Sequence, residues 1–129
     1  MGVAVPLAAG AKAAAPERTI VAVVAGGGLE LGTGELATLR DEGLHIVVIV
    51  IQDESLALIE LKQKNMHYER RGVGLGKTRF KEIALAFGGH GVRVTKRDAF
   101  ADELVHATRR EMFSVIVCQV EASDYVDGI

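Results

Sequence analysis

Two short clusters in this 129-residue chain carry the groups that could do chemistry. The first is Gly26-Gly27-Gly28, directly after the β-branched run Thr19–Ala25. The second is Gln52-Asp53-Glu54-Ser55, directly after the apolar run that starts at His45. A glycine run beyond a buried strand lets backbone amides approach a phosphate, and a helix N-terminus behind it adds a favourable dipole. The same triple glycine also suits a tight turn with no ligand. Asp53 brings a carboxylate of the kind a hard cation takes. Ser55 has no His or Asp partner visible in the sequence, which argues against a nucleophilic role.

Other candidates carry less. Gly72-Val-Gly-Leu-Gly-Lys-Thr78 invites a phosphate-loop reading, which requires Gly, four residues, then Gly-Lys-Ser/Thr after a strand. Five residues before Gly76 stands Arg71, so the spacing fails, and a solvated basic loop around Arg70, Arg71 and Lys77 is the plainer reading. His45, His67, His90 and His106 lack metal-ligand spacing with Cys or carboxylates. His45 and His90 stand at strand starts, and His67 beside the polar loop is the one worth testing. Glu35 reads as a helix-surface carboxylate. Cys118, the single cysteine, sits in an apolar run and reads as a small core residue.

The elements that must position these groups follow from pattern. Pro6–Ala15 favours helix through its alanines, stopped by Pro16. Thr19–Ala25, His45–Gln52 and Phe113–Val120 are continuous apolar runs expected of strands buried on both faces. Gly91–Thr95 is a shorter strand. The glycines at 26–28 are expected to break the first strand. Helices are expected over Glu35–Arg40, Leu56 to about Lys64, Arg79–Phe87 and Asp98–Arg110, with Asp53-Glu54-Ser55 capping the second of these. Residues 65–77 are polar, glycine-containing and aperiodic, as in a mobile loop. Alternating strand and helix predicts an α/β fold, a three-layer α/β/α sandwich with a mostly parallel sheet, in a single domain spanning 1–129.

Taken together, the two clusters resemble the cofactor-diphosphate-binding (C-terminal) domain of thiamine-diphosphate-dependent enzymes, nearest the acetolactate-synthase and benzoylformate-decarboxylase-like branch. That family has a Gly-Asp-Gly motif after one strand and an Asn or Asp some 27 positions beyond that Asp, after the next strand. Here Gly27-Gly28 and Glu35-Leu-Ala-Thr38 follow the pattern, as do Leu58–Gln63, Phe80–Gly88, His90–Thr95, and Met1-Gly2 with Pro6–Lys12. The resemblance implies backbone contacts from Gly26, Gly27, Gly28 and Leu29 to the diphosphate of thiamine diphosphate, with Leu56 nearby and Met1 beside the pyrimidine. It implies magnesium held by Asp53 and the Ser55 carbonyl. Two departures stand out. Gly26 replaces the motif's metal-binding Asp, removing one oxygen ligand and one charge. The pyrimidine-binding domain, whose glutamate activates the cofactor, has no counterpart in the chain, nor has the first strand and helix of the binding domain. Catalysis of 2-oxo acid decarboxylation or acetolactate-synthase-like carboligation is therefore expected to need a separate pyrimidine-domain subunit. The alternative is a non-catalytic remnant that serves as an oligomerisation or interaction module, as a homo-oligomer.

Bulk properties fit. The net charge of −2 gives no electrostatic reason for nucleic acid or an anionic membrane as partner, and aromatics at 5% without Trp offer no stacking platform. The N-terminus lacks a signal-peptide pattern and Ile46–Ile51 is too short to span a bilayer, so a cytoplasmic location is expected.

Overall fold

The computed structural model describes residues 1–120. The single domain read from the sequence extends over 121–129, which lie outside the described residues. Four strands, β1 (Val21–Ala25), β2 (Val47–Gln52), β3 (His90–Val94) and β4 (Ser114–Gln119), form one sheet in the order β1-β2-β4-β3. Every pairing is parallel, and Ala25 stands level with Ile51, Ile51 with Cys118, and Val94 with Cys118. All four carboxyl ends thus open on one edge of the sheet.

Helices α1 (Ala4–Ala14), α2 (Gly26–Leu31), α3 (Glu35–Asp41) and α5 (Phe80–Ala86) pack one face of this sheet, and α6 (Arg97–Ala107) the other. The main core joins Val48, Val50, Val115 and Val117 of the sheet to Leu29, Leu36, Leu39 and Phe80 of the helices. Each such leucine contributes about 2 kcal/mol by leaving water. α1 presents Val5, Ala8 and Ala9 to this core, the i, i+3, i+4 stripe of an amphipathic helix. It begins two residues before Pro6, because a proline in the first turn lacks only an N–H that has no helical acceptor. Its end is closed by Lys12, whose Nζ donates to the carbonyls of Pro16 and Arg18 at 2.6 and 2.7 Å. Behind β2 and β4, α6 covers the second core of Val47, Ile49, Val94 and Ile116. Cys118 packs at its margin, and burial pushes its thiol pKa up, as a core cysteine requires.

Three local expectations need correction. The glycines 26–28 do not break the chain into a loop; they form the first turn of α2, starting immediately at the end of β1. Asp53, Glu54 and Ser55 do not cap α4 (Ala57–Asn65): the N-cap is Leu56, with no side-chain cap bond. The Ser55 hydroxyl instead donates to Glu60 Oε2 (2.5 Å) and to the Val73 carbonyl (3.3 Å), so tertiary partners outcompete the cap. The aperiodic segment after α4 is also tied down. The Leu56 amide donates to the Val73 carbonyl (2.8 Å), the Leu75 amide to the Glu54 carbonyl (2.9 Å), and Val73 is buried.

Candidate functional site

Register does the assembling. Because Ala25 pairs with Ile51, the turn Gly26–Gly28 and the segment Gln52–Ser55 leave the sheet side by side. In α2, Gly26, Gly27 and Gly28 occupy the positions whose N–H groups have no carbonyl one turn back to receive them. The N-cap, Ala25, supplies no side-chain acceptor. Three backbone donors are left at the carboxyl end of β1, beside Asp53.

Packing also accounts for each glycine independently of any ligand. A Cβ on Gly28 would stand 2.8 Å from Val24 Cγ2, too close to be accommodated without a shift. One on Gly26 would stand 3.3 Å from Cε2 of the buried Phe80 ring. One on Gly27 would meet Leu75 Cδ1 at 3.3 Å, Leu56 Cδ2 at 3.5 Å and Met1 Cε at 4.0 Å. The structure therefore brings Met1, Gly27 and Leu56 together, three residues that the sequence places far apart. Leu29 is the fourth residue of α2, with its side chain buried in the core.

On the β2 side, Asp53 Oδ1 accepts from the Ser55 amide at 3.2 Å, leaving Oδ2 without a described partner. Glu54 between them adopts φ 58, a left-handed conformation unusual for a residue with a side chain. The Ser55 hydroxyl belongs to a small network in which Glu60 also receives Arg70 Nε at 2.5 Å. The Arg70 guanidinium first, and then the Ser55 hydroxyl, hold the Glu60 carboxyl below its ordinary range. Sequence reasoning missed Val73, Leu75 and Glu60, which close this corner. Val73 and Leu75 lie in an aperiodic stretch, and nothing in the sequence distinguished Glu60 from an ordinary helix-surface carboxylate. His67 takes φ 56 just after α4, at the helix-ending position usually given to Gly or Asn.

Magnesium takes about six oxygens, usually with a carboxylate among them. Here the donors on offer are one free oxygen of Asp53 and the Ser55 carbonyl, with no side chain at Gly26. Among the described residues no group of three or more His, Cys, Asp or Glu could hold a metal ion. The residues present do not make a preformed magnesium site.

Comparison with known proteins fits this arrangement. A family model described as thiamine pyrophosphate enzyme, C-terminal TPP binding domain, matches residues 1–118. The acetolactate synthase large subunit of Lactococcus lactis subsp. lactis (strain IL1403) is 30% identical over 125 residues, covering 94% of this chain and 22% of that protein. The acetolactate synthase of Bacillus subtilis (strain 168) is 30% identical over 127 residues, covering 98% and 22%. The chain thus spans about a fifth of the length of these relatives. Among solved structures, the thiamine diphosphate-dependent 4-hydroxybenzoylformate decarboxylase of Rhodococcus jostii RHA1 superposes with a TM-score of 0.88 at 20% identity, covering 94% of this chain and 23% of that one. Benzoylformate decarboxylase from Polynucleobacter necessarius gives 0.82 at 20% identity, covering 92% and 23%. These two share the fold, and the profile match shows the family: the chain belongs to the C-terminal, thiamine-pyrophosphate-binding domains of thiamine pyrophosphate enzymes.

Proposed function

We propose that this domain holds the diphosphate of thiamine diphosphate on the backbone amides of Gly26, Gly27 and Gly28, with Leu29 as the next backbone position and Met1 and Leu56 beside the cofactor. The observation that carries the reading is the set of three unreceived N–H groups at the end of β1, next to Asp53, in a member of this family. Such amides at a helix start favour phosphoryl oxygens. The cofactor supplies the carbanion chemistry, and the protein's task is to bind and orient it. Any decarboxylation or carboligation of 2-oxo acids then requires a pyrimidine-domain partner to complete the cleft. Asp53 and the Ser55 carbonyl are the groups nearest to a metal role, and no step is assigned to magnesium because the donor set is short of a carboxylate at Gly26.

Nuclear magnetic resonance tests this directly. Thiamine diphosphate should shift the Gly27 and Gly28 amide signals saturably, while thiamine without its diphosphate should not. Equal shifts from both compounds would place binding elsewhere.

A second reading, a non-catalytic module that self-associates, is favoured by a different observation. Val21 and Val23 on β1 are 43% and 63% exposed, on the sheet face that α6 does not reach. Exposed β-branched residues on an edge strand favour association. A homo-oligomer with no response to thiamine diphosphate would support this account over the first.

A further inference from the structure

A second crevice opens on the same edge of the sheet, away from the glycine turn. From β2 the chain crosses one face through α5 to β3, then returns across the other face through α6 to β4, which fills the gap between them. The connections therefore diverge above β2, β4 and β3, and open parallel sheets take ligands at such points. A cavity of about 850 Å³ lies there, large enough for a small organic molecule.

Its polar lining is organised around Arg93. The Arg93 guanidinium donates through Nη2 to Gln52 Oε1 (3.2 Å) and to Gln119 Oε1. Gln52 is only 3% exposed and is itself fixed, its Nε2 donating to the Thr78 carbonyl at 2.9 Å. Two neutral amides thus orient a cation without neutralising it. Arg93 Nε and Nη1 have no partner among the described residues. Of the other lining cations, Lys77 pairs with Glu54 (3.7 Å) and Arg79 with Glu82 (3.0 Å), whereas Lys81 has no carboxylate within ion-pair reach among the described residues. The Thr95 hydroxyl, which also lines the cavity, can donate too.

We propose that this crevice is a binding site for a small oxyanion, carboxylate or phosphoryl, received in two-point fashion by the free edge of Arg93 and supported by Lys81. A planar guanidinium held in place matches two oxygens of such a group, which an ammonium cannot do. The site is separate from the glycine turn and does not depend on thiamine diphosphate binding there.

The test follows the Arg93 Nε–Hε signal of the full chain, labelled with nitrogen-15, during separate titrations with malonate and with pyrophosphate. A saturable shift is expected with at least one, and whichever binds tighter identifies carboxylate or phosphoryl as the preferred group. Arg93→Lys should weaken that binding about tenfold or more, as loss of a charge-assisted hydrogen bond does. Lys81→Gln should weaken it less. The proposal is overturned if neither anion shifts the signal at millimolar concentration, or if affinity, followed by backbone amides of the crevice, is unchanged in Arg93→Lys. It is also overturned if binding appears only after Glu121→Gln, Asp124→Asn and Asp127→Asn are combined, since the chain's own carboxylates would then be the occupant.

Discussion

At the scale of single residues, the glycines separate into two physical kinds. Gly28 is required by contact: its missing Cβ makes room for Val24 Cγ2 at 2.8 Å. Gly10, in the middle of α1, has nothing within 4 Å of the corresponding position. Gly28→Ala should therefore destabilise the fold, by about 1 kcal/mol after helix propensity offsets part of the overpacking. Gly10→Ala should stabilise it by about 0.5–1 kcal/mol. Urea unfolding of both variants checks the contrast, and equal effects would contradict the packing at Gly28. The triple glycine was legible in the sequence as a phosphate-compatible feature. Its structural cause was not, because Val24, Phe80 and Leu75 reach it only through the folded sheet. Asp53 was legible for the same reason that β2 was, since an unbroken apolar run ends where the polar residues begin.

At the scale of elements, α4 and the segment after it form the least supported part of the domain. α4 buries none of its residues, and its Leu58 and Ile59 are exposed. It is held by Val73, by the two backbone bonds to Val73 and Glu54, and by the Ser55–Glu60–Arg70 network. Hydrogen exchange should accordingly be faster through α4 than through β2 or β4. Val73→Ala, which removes about two methylene equivalents from a buried site, should cost about 1.6 kcal/mol and speed exchange at Leu56 and Leu75. The network also has a pH sign. Glu60 titrates below its ordinary range in the fold, so its contribution is present above the unfolded carboxylate pKa and is lost as pH falls through the lower, folded value. Acidification through that window should loosen Leu56 and Leu75 in the parent and much less in Glu60→Gln. Strand and helix order was readable from periodicity, with ends shifted by a residue or two. The anchoring of residues 73–75 was not, because a single buried valine in an aperiodic stretch leaves no repeating signal.

At the scale of the whole molecule, the sheet is covered unevenly. Four helices shield one face, while α6 alone shields β2, β4 and β3 on the other and leaves Val21 and Val23 open. If that face mediates self-association, Val23→Lys should shift sedimentation toward the monomer while the chain stays folded. Alternation in the sequence implied layers on both faces but could not state strand order. That order, β1-β2-β4-β3, decides both which face is bare and where the Arg93 crevice opens.

The central claim is that the glycine turn binds the cofactor diphosphate while Gly26 leaves magnesium poorly held. Calorimetric titration of thiamine diphosphate, with and without magnesium, on this chain and on Gly26→Asp tests it most directly. The Phe80 ring must yield by a few tenths of an ångström to admit the new side chain. The parent should bind with little dependence on magnesium, and Gly26→Asp should gain about tenfold in affinity only when magnesium is present. Tight, magnesium-dependent binding by the parent, unchanged in Gly26→Asp, would contradict the account of the metal site; no binding by either chain would contradict the diphosphate site itself.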